Sequence, residues 1–532
     1  MVSLPKPFAL DLPRILEKVG RLPFVRRVVS TIVIEVLANS TAPRPRALSM
    51  AADYTSWKSL TDRTFSGRHL PPSSVPPDEL PSEESLTDLF RRRKDAEGDD
   101  VEISSTDTSI MFMFFAQWFT DSFLRTERSD FRKNTSNQEI DLCQIYGLTE
   151  QQTNMLRAHT GGRLKSQQIN GAEYPVYLFT PRGPGQPLVF KPEFEGLHDK
   201  EFITEVILGG VPDDRKDSFF AVGLEHGNST IGNTIMNTVF LREHNRISGL
   251  LEEAHPEWRD HPEGADQRLF ETTRNIMIVL LLKLVVEEYI RHISPHDFPL
   301  ELVPFVADGR RWNRSNWVAI EFNLLYRWHS LAPSSISDGT DTLRSADFLN
   351  NNPLVLAEGI EPLISRFSRA RAGKIGLMNT PYYLVDRDPS RPDRPSVEER
   401  TISLMRKARL ATYNDYRENF GLDRIKSFKQ LTRDPELRER LAKLYGDVDK
   451  LEWYVGIFAE GYSSSAMMGD LMTVMVAYDA FTQALTNPLL ARNVFNEKTF
   501  TSTGMTVIKQ TKSLQEIVLR NSSGPVLCSF RC

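Results

Sequence analysis

The sequence predicts a mainly α-helical protein with one large catalytic body. Three observations predict it. From about residue 108 onward, apolar residues recur with the helical period in long runs. Strand signals are few and short, and no internal repeat breaks the pattern. The 532 residues are 40% hydrophobic and 25% charged, an ordinary globular balance that supports a sizeable core. The net charge of −5 argues against a nucleic-acid binder, whose binding domain is normally basic.

The first 45 residues stand apart. "FALDLPRILEKVGRLPFVRRVVSTIVIEVLA" interleaves apolar groups with Lys18, Arg21, Arg26 and Arg27, and residues 1–50 hold eight Lys/Arg against three Asp/Glu. This pattern suits amphipathic helices lying in a membrane interface, and equally helices packed on the protein body. Residues 46–107 read as a connection: five prolines fall between 71 and 81, followed by the charged run "RRRKDAEGDD". Residues 108–532 form the third and largest unit.

Within it, "TSIMFMFFAQWFTDSFLRT", "TIMNTVFLREHNRISGLLEEA" and "TTRNIMIVLLLKLVVEEYIRHI" each predict a helix. "IMIVLLLKLVV" is too short to cross a membrane and is interrupted by Lys283, so a buried core helix is expected and no transmembrane segment. No apolar run with a small-residue cleavage site marks a signal peptide. A membrane-associated or cytoplasmic placement is expected. Three cysteines cannot build a disulfide framework, although Cys528 and Cys532 are close enough for one terminal bridge.

Two places interrupt the apolar pattern in ways that suggest chemistry. Gln117 and Asp121 are four apart on a very apolar helix and share one face. Burying them costs several kcal/mol unless both find partners, so they face a polar pocket or form a solvent stripe. His329, in "EFNLLYRWHSLAP", follows a buried-looking run and precedes a proline-bounded turn; Tyr326 lies three residues earlier. A lone histidine here is a structural core residue or the proximal ligand of a haem iron. The other histidines offer less. HExxH is absent, Pro295 separates His292 from His296, and His244 in "LREHNRI" reads as a hydrogen-bonded structural residue.

Taken together, "FFAQWFTDSFLRT" (114–126), "VFLREHNRI" (239–247), "HPEWRD" (255–260), "VVEEYIRHIS" (285–294), "EFNLLYRWH" (321–329), "LYGDVDKLEWYVG" (444–456) and "ALTNPLL" (484–490) resemble the prostaglandin endoperoxide synthases of the animal-type haem peroxidase superfamily. The likeness spans about residues 10–530, with "LPFVRRVVS" similar to the family's membrane-binding helices. The resemblance implies a haem-peroxidase-like helical domain binding haem b, with His329 as iron ligand and Tyr326 as the residue oxidised to a radical, the i,i+3 spacing placing both side chains on one side of a helix. It implies Gln117 on the distal side, and a channel lined by Ile290, Ile293, Phe322, Leu325 and Trp328. The apolar lining suits an acyl chain. The implied reaction joins two O2 to arachidonate or a similar polyunsaturated fatty acid, giving a prostaglandin endoperoxide. Peripheral membrane association and a homodimer are further expectations of the resemblance.

The sequence departs from the family pattern at several positions. Asp121 stands where the family has its distal histidine, which puts peroxidase activity in doubt; an aspartate serves there only with a pKa raised toward neutrality. Leu37 replaces the arginine that pairs with the substrate carboxylate, and His296 replaces its tyrosine neighbour, which leaves His296, Arg26 or Arg27 as the candidate partner of that carboxylate. Ala480 stands at the serine that aspirin acetylates, or Thr482 if the alignment slips by two, and Val476 replaces a glycine at the channel end. With three cysteines, no counterpart of the family's disulfide-rich module is expected in this sequence. These changes keep two other readings open: a fatty-acid dioxygenase that stops at a linear hydroperoxide, and a non-catalytic haem-binding, membrane-associated protein.

Overall fold

Apolar helices wrapped around one another leave little room for sheet. In the computed structural model, which describes residues 22–39, 49–183, 186–260, 264–294, 299–337, 341–462 and 466–532, the strands among these residues pair only as two-stranded antiparallel ribbons. The elements that frame the site are α1 (Pro23–Asn39), α2 (Glu83–Phe90), α3 (Ile110–Thr120), α4 (Ile231–Ala254), α5 (Ala265–Leu284), α6 (Ile320–Leu325), α7 (Val397–Lys407) and α8 (Asp470–Leu485).

The centre is the packing of α3 against α4, and of α4 against α5. Gly232 makes the first contact possible: a Cβ there would sit 2.2 Å from the Phe114 ring. The "IMIVLLLKLVV" run is core, with residues 276–282 all buried. After Leu284 the helix widens into one π turn, Val285–Tyr289, before Ile290–Ile293. No helix among the described residues is long and apolar enough to cross a membrane.

Three sequence expectations change. The helix expected over 108–126 is shorter. Residues Ser104–Ser109 form a strand paired with Arg371–Gly373, and Ser109 caps α3 by accepting a hydrogen bond from Phe112 N–H at 3.2 Å. A serine that satisfies an orphan helix donor fixes the start of the helix. The Pro-rich stretch is more ordered than a plain connection. It carries α2, whose Leu86, Leu89 and Phe90 are buried, and the charged run folds as a ribbon pairing Arg93–Lys94 with Asp100–Val101. The bridge allowed for Cys528 and Cys532 does not form, and all three thiols are free.

α1 packs its Val29, Val33 and Ile34 inward and rests on α8. Its other side exposes Leu22, Val28 and Ile32 beside Arg26 and Arg27. The rest of the segment expected to bind membranes lies outside the described residues, as do His296 and the side chain of Leu37.

The "LREHNRI" segment of α4 is structural, as its polar pattern predicts. His244 lies between Tyr146 Oη at 2.8 Å and Gly162 O at 2.9 Å, and burial lowers its pKa to about 4. Glu243 is fully buried and accepts from Arg246, Arg520 and Asn521 at 2.6–2.9 Å. Burial alone would raise its pKa; the hydrogen bonds and the two guanidinium groups outweigh that and hold it below the usual value. Glu243→Ala strands these donors and is expected to cost about 3–5 kcal/mol, read as a lower midpoint in urea unfolding followed by far-UV circular dichroism.

Candidate active site

The stretch containing Tyr326 and His329 is not one continuous helix. α6 ends at Leu325, and the chain then tightens: Trp328 N–H donates to Tyr326 O at 2.8 Å and His329 N–H to Arg327 O at 2.9 Å. His329 opens a 3₁₀ turn through Leu331. Tertiary bonds impose this shape. Ile320 N–H donates to Gly67 O, and the buried Glu321 accepts from His69 N–H at 2.8 Å and from Tyr416 Oη–H at 2.6 Å. Beyond the turn, Gly373 presses against Ser330 O, where a Cβ would lie 2.0 Å away, and Ser330 Oγ accepts from Gly376 N–H at 3.1 Å. The two side chains therefore leave the backbone from a turn, not from one helical face.

His329 Nδ1 lies 2.7 Å from Glu398 Oε2, on α7. The carboxylate is the acceptor, so Nδ1 carries the proton and Nε2 keeps its lone pair free.

Tyr326 faces a different neighbourhood. Its ring meets Phe322 edge-on at 4.9 Å and Trp328 at 4.9 Å. Tyr289, which nothing in the sequence pattern singled out, stacks on Phe112 at 5.2 Å and is near enough to Tyr326 to interact electrostatically. The hydroxyls of Tyr326 and Tyr289 are both buried without a hydrogen-bond partner. Burial, reinforced by the nearby Asp479 carboxylate, pushes the Tyr326 phenol far above its usual value. Ile290, Ile293, Phe322, Leu325 and Trp328 are all buried, as are Val476 and Ala480 on α8, which packs against α6. Thr482 is turned back on its own helix, with its hydroxyl on Tyr478 O and Asp479 O.

Gln117 and Asp121 share a partly covered stripe of α3 with Met113. Asp121 is the residue just past the helix end and still donates its N–H to Gln117 O. This is not a freely hydrated stripe. Asn233 Nδ2 donates to Asp121 Oδ2 at 3.1 Å, and Thr230 Oγ1 donates toward Gln117 Oε1 at 3.4 Å. Burial pushes the Asp121 carboxyl up to about 6, against the opposing pull of Asn233, Arg125 and Arg327. The residue as a whole nevertheless keeps some exposed surface. Arg327 joins the two regions: it is close enough to feel both Asp121 and Glu398. Asn233, Thr230 and Glu398 are contributed by distant parts of the chain, and sequence spacing gives no sign of them.

Residues 100–527 match the animal haem peroxidase family. The chain belongs to that family, which implies a haem cofactor. It is 32% identical over 524 residues to prostaglandin G/H synthase 1 of Rattus norvegicus, covering 96% of this chain and 79% of that protein. Against prostaglandin G/H synthase 2 of Bos taurus it is 29% identical over 530 residues, with the same coverage. Its fold is similar to that of the fatty acid alpha-dioxygenase of Oryza sativa (TM-score 0.69, 16% identity, 96% of this chain and 92% of that one). It is also similar to peroxidase A of Dictyostelium discoideum (TM-score 0.66, 18% identity, 92% and 95%).

The residues present fit a haem. Among the described residues no three His, Cys, Asp or Glu side chains gather to hold a metal ion by themselves. A single histidine with its Nε2 free suits an iron whose other ligands come largely from a porphyrin.

Proposed function

We propose that this chain is a haem-dependent fatty-acid oxygenase that works through a radical on Tyr326. Its preferred reaction converts arachidonate, or a similar polyunsaturated acid, and two O2 to a prostaglandin endoperoxide. The observation that carries this reading is the Tyr326 hydroxyl, buried without a polar partner in an aromatic cluster three residues from His329. When bound, haem supplies one-electron oxidising power from peroxide. His329, whose Nδ1 is engaged by Glu398, would hold the iron. Asp121, poised near neutrality, takes a proton from the incoming peroxide and returns it to the departing oxygen, with Gln117 beside it.

Tyr326, once it has lost an electron and its phenolic proton, takes a hydrogen atom from a bis-allylic carbon and becomes a phenol again. Ile290, Ile293, Phe322, Leu325 and Trp328 keep water from that carbon and hold the acyl chain. Oxygen then adds to the carbon radical. Ala480 has no hydroxyl for aspirin to acetylate. The exposed apolar residues of α1, next to Arg26 and Arg27, support peripheral attachment to a lipid surface. A homodimer is proposed from the family resemblance alone.

Val476 favours a second reading. It is buried on α8, at a position where the family resemblance implies glycine, and a bulkier channel end resists the bend that ring closure needs. A dioxygenase releasing a linear hydroperoxide follows from that. The deciding experiment is oxygen uptake by haem-loaded protein with arachidonate and a hydroperoxide initiator, products resolved by chiral mass spectrometry. An endoperoxide or its breakdown products establishes the first reading, and a single linear hydroperoxide the second. Neither product, with haem properly bound, leaves a haem-binding protein without turnover.

A further inference from the structure

We infer that Glu398 is a positioning residue that fixes His329 in one tautomer and makes it an electron-rich ligand for the haem iron. The inference rests on the reading of His329 as that ligand.

Glu398 is fully buried, and both of its oxygens are engaged. Oε2 receives His329 Nδ1–H at 2.7 Å, and Oε1 receives the hydroxyl of Tyr454, itself fully buried, at 3.2 Å. Its place on α7 is set by a capping box: Ser396 Oγ accepts from Glu399 N–H at 3.2 Å and Glu399 Oε2 from Ser396 N–H at 2.6 Å. The box puts Glu398 in the first turn of the helix, where the helix dipole favours negative charge. The guanidinium of Arg327 is also within electrostatic reach. A carboxylate this confined cannot swing away from the imidazole.

The histidine is equally constrained, since its backbone is clamped between the tight turn after Tyr326 and the Gly373 and Gly376 contacts at Ser330. With its carboxylate partner 2.7 Å away, the other tautomer would set a lone pair against an anionic oxygen. A carboxylate behind a ligating histidine orients the ring and raises the basicity of the coordinating nitrogen. A neutral acceptor would orient it equally well but donate less charge.

The test compares haem-reconstituted wild type with E398Q and E398A. Its readouts are haem affinity by absorbance titration, the ferrous iron–histidine stretch by resonance Raman, and the haem midpoint potential. E398Q keeps the shape and a neutral oxygen acceptor; its stretch is expected to fall in frequency and its potential to rise. E398A is expected to weaken haem binding by about 10–100-fold. An unshifted stretch and potential in E398Q overturns the inference, whether or not E398A loses affinity, because an affinity loss alone reports packing. If E398A does not fold, E398Q decides. Failure of the underlying reading looks different: His329→Ala would then bind haem with the wild-type affinity and spectrum.

Discussion

Tyr326→Phe is expected to abolish fatty-acid oxygenation while leaving the fold and haem binding intact. The hydroxyl it removes is buried and bonded to nothing, so its loss strands no partner and costs little stability. Phenylalanine keeps the edge-on contact with Phe322 and the packing on Trp328. What disappears is the phenol that the proposal has yield a hydrogen atom and take one back. Oxygen uptake with arachidonate should fall to below about 1% of wild type, a loss of more than about 2.7 kcal/mol in transition-state terms. Peroxide consumption with an external reductant should persist. Tyr289→Phe is the control, because it also removes a buried, unpartnered hydroxyl from the same cluster. It should keep most of the oxygenase activity. Full activity in Tyr326→Phe would remove the radical tyrosine from the proposal.

The second large effect is expected at Asp121. A general acid–base group contributes about 10²–10⁴ in rate, and works best with a pKa near the working pH. Burial lifts Asp121 to about 6, so near neutrality the base form dominates and the acid form remains accessible. Asp121→Asn keeps size and a hydrogen-bond acceptor for Asn233 but cannot move a proton. Peroxide turnover should drop by about 10²–10⁴. The wild-type rate should rise with pH through about 6, as the carboxyl loses its proton and becomes able to accept one from peroxide; the variant should lack that step. Equal rates and the same pH profile in both proteins would show that the carboxylate stands idle.

The stability linkage at Asp121 has the opposite sign. Its folded pKa lies above the ordinary value of 3.8. The folded state therefore gains from the protonated form, and that gain is fully present below about pH 4 and lost as pH rises through about 6. The charge poised for chemistry is thus a weak point of the apo fold at neutral pH.

Much of this was legible in the sequence, because helix period and apolar composition act locally. The long core helix through residues 276–284, the polar pair Gln117 and Asp121, and the structural role of His244 follow from neighbours three and four residues away. So does the apolar character of the positions around Tyr326. What the sequence alone left undecided depended on long-range partners. It allowed His329 to be an ordinary core residue; Glu398, 69 residues later, commits its Nδ1. It set Tyr326 and His329 on one helix; buried bonds from Glu321 to His69 and Tyr416 and the press of Gly373 on Ser330 turned that helix into a sharp bend. It left Asp121 between solvent stripe and pocket; the Asn233 hydrogen bond and the surrounding burial show that it is not a freely hydrated stripe. Spacing along a chain fixes which residues share a face. Only the tertiary fold fixes which charge or hydrogen bond that face meets, and those partners set the proton positions on which the chemistry depends.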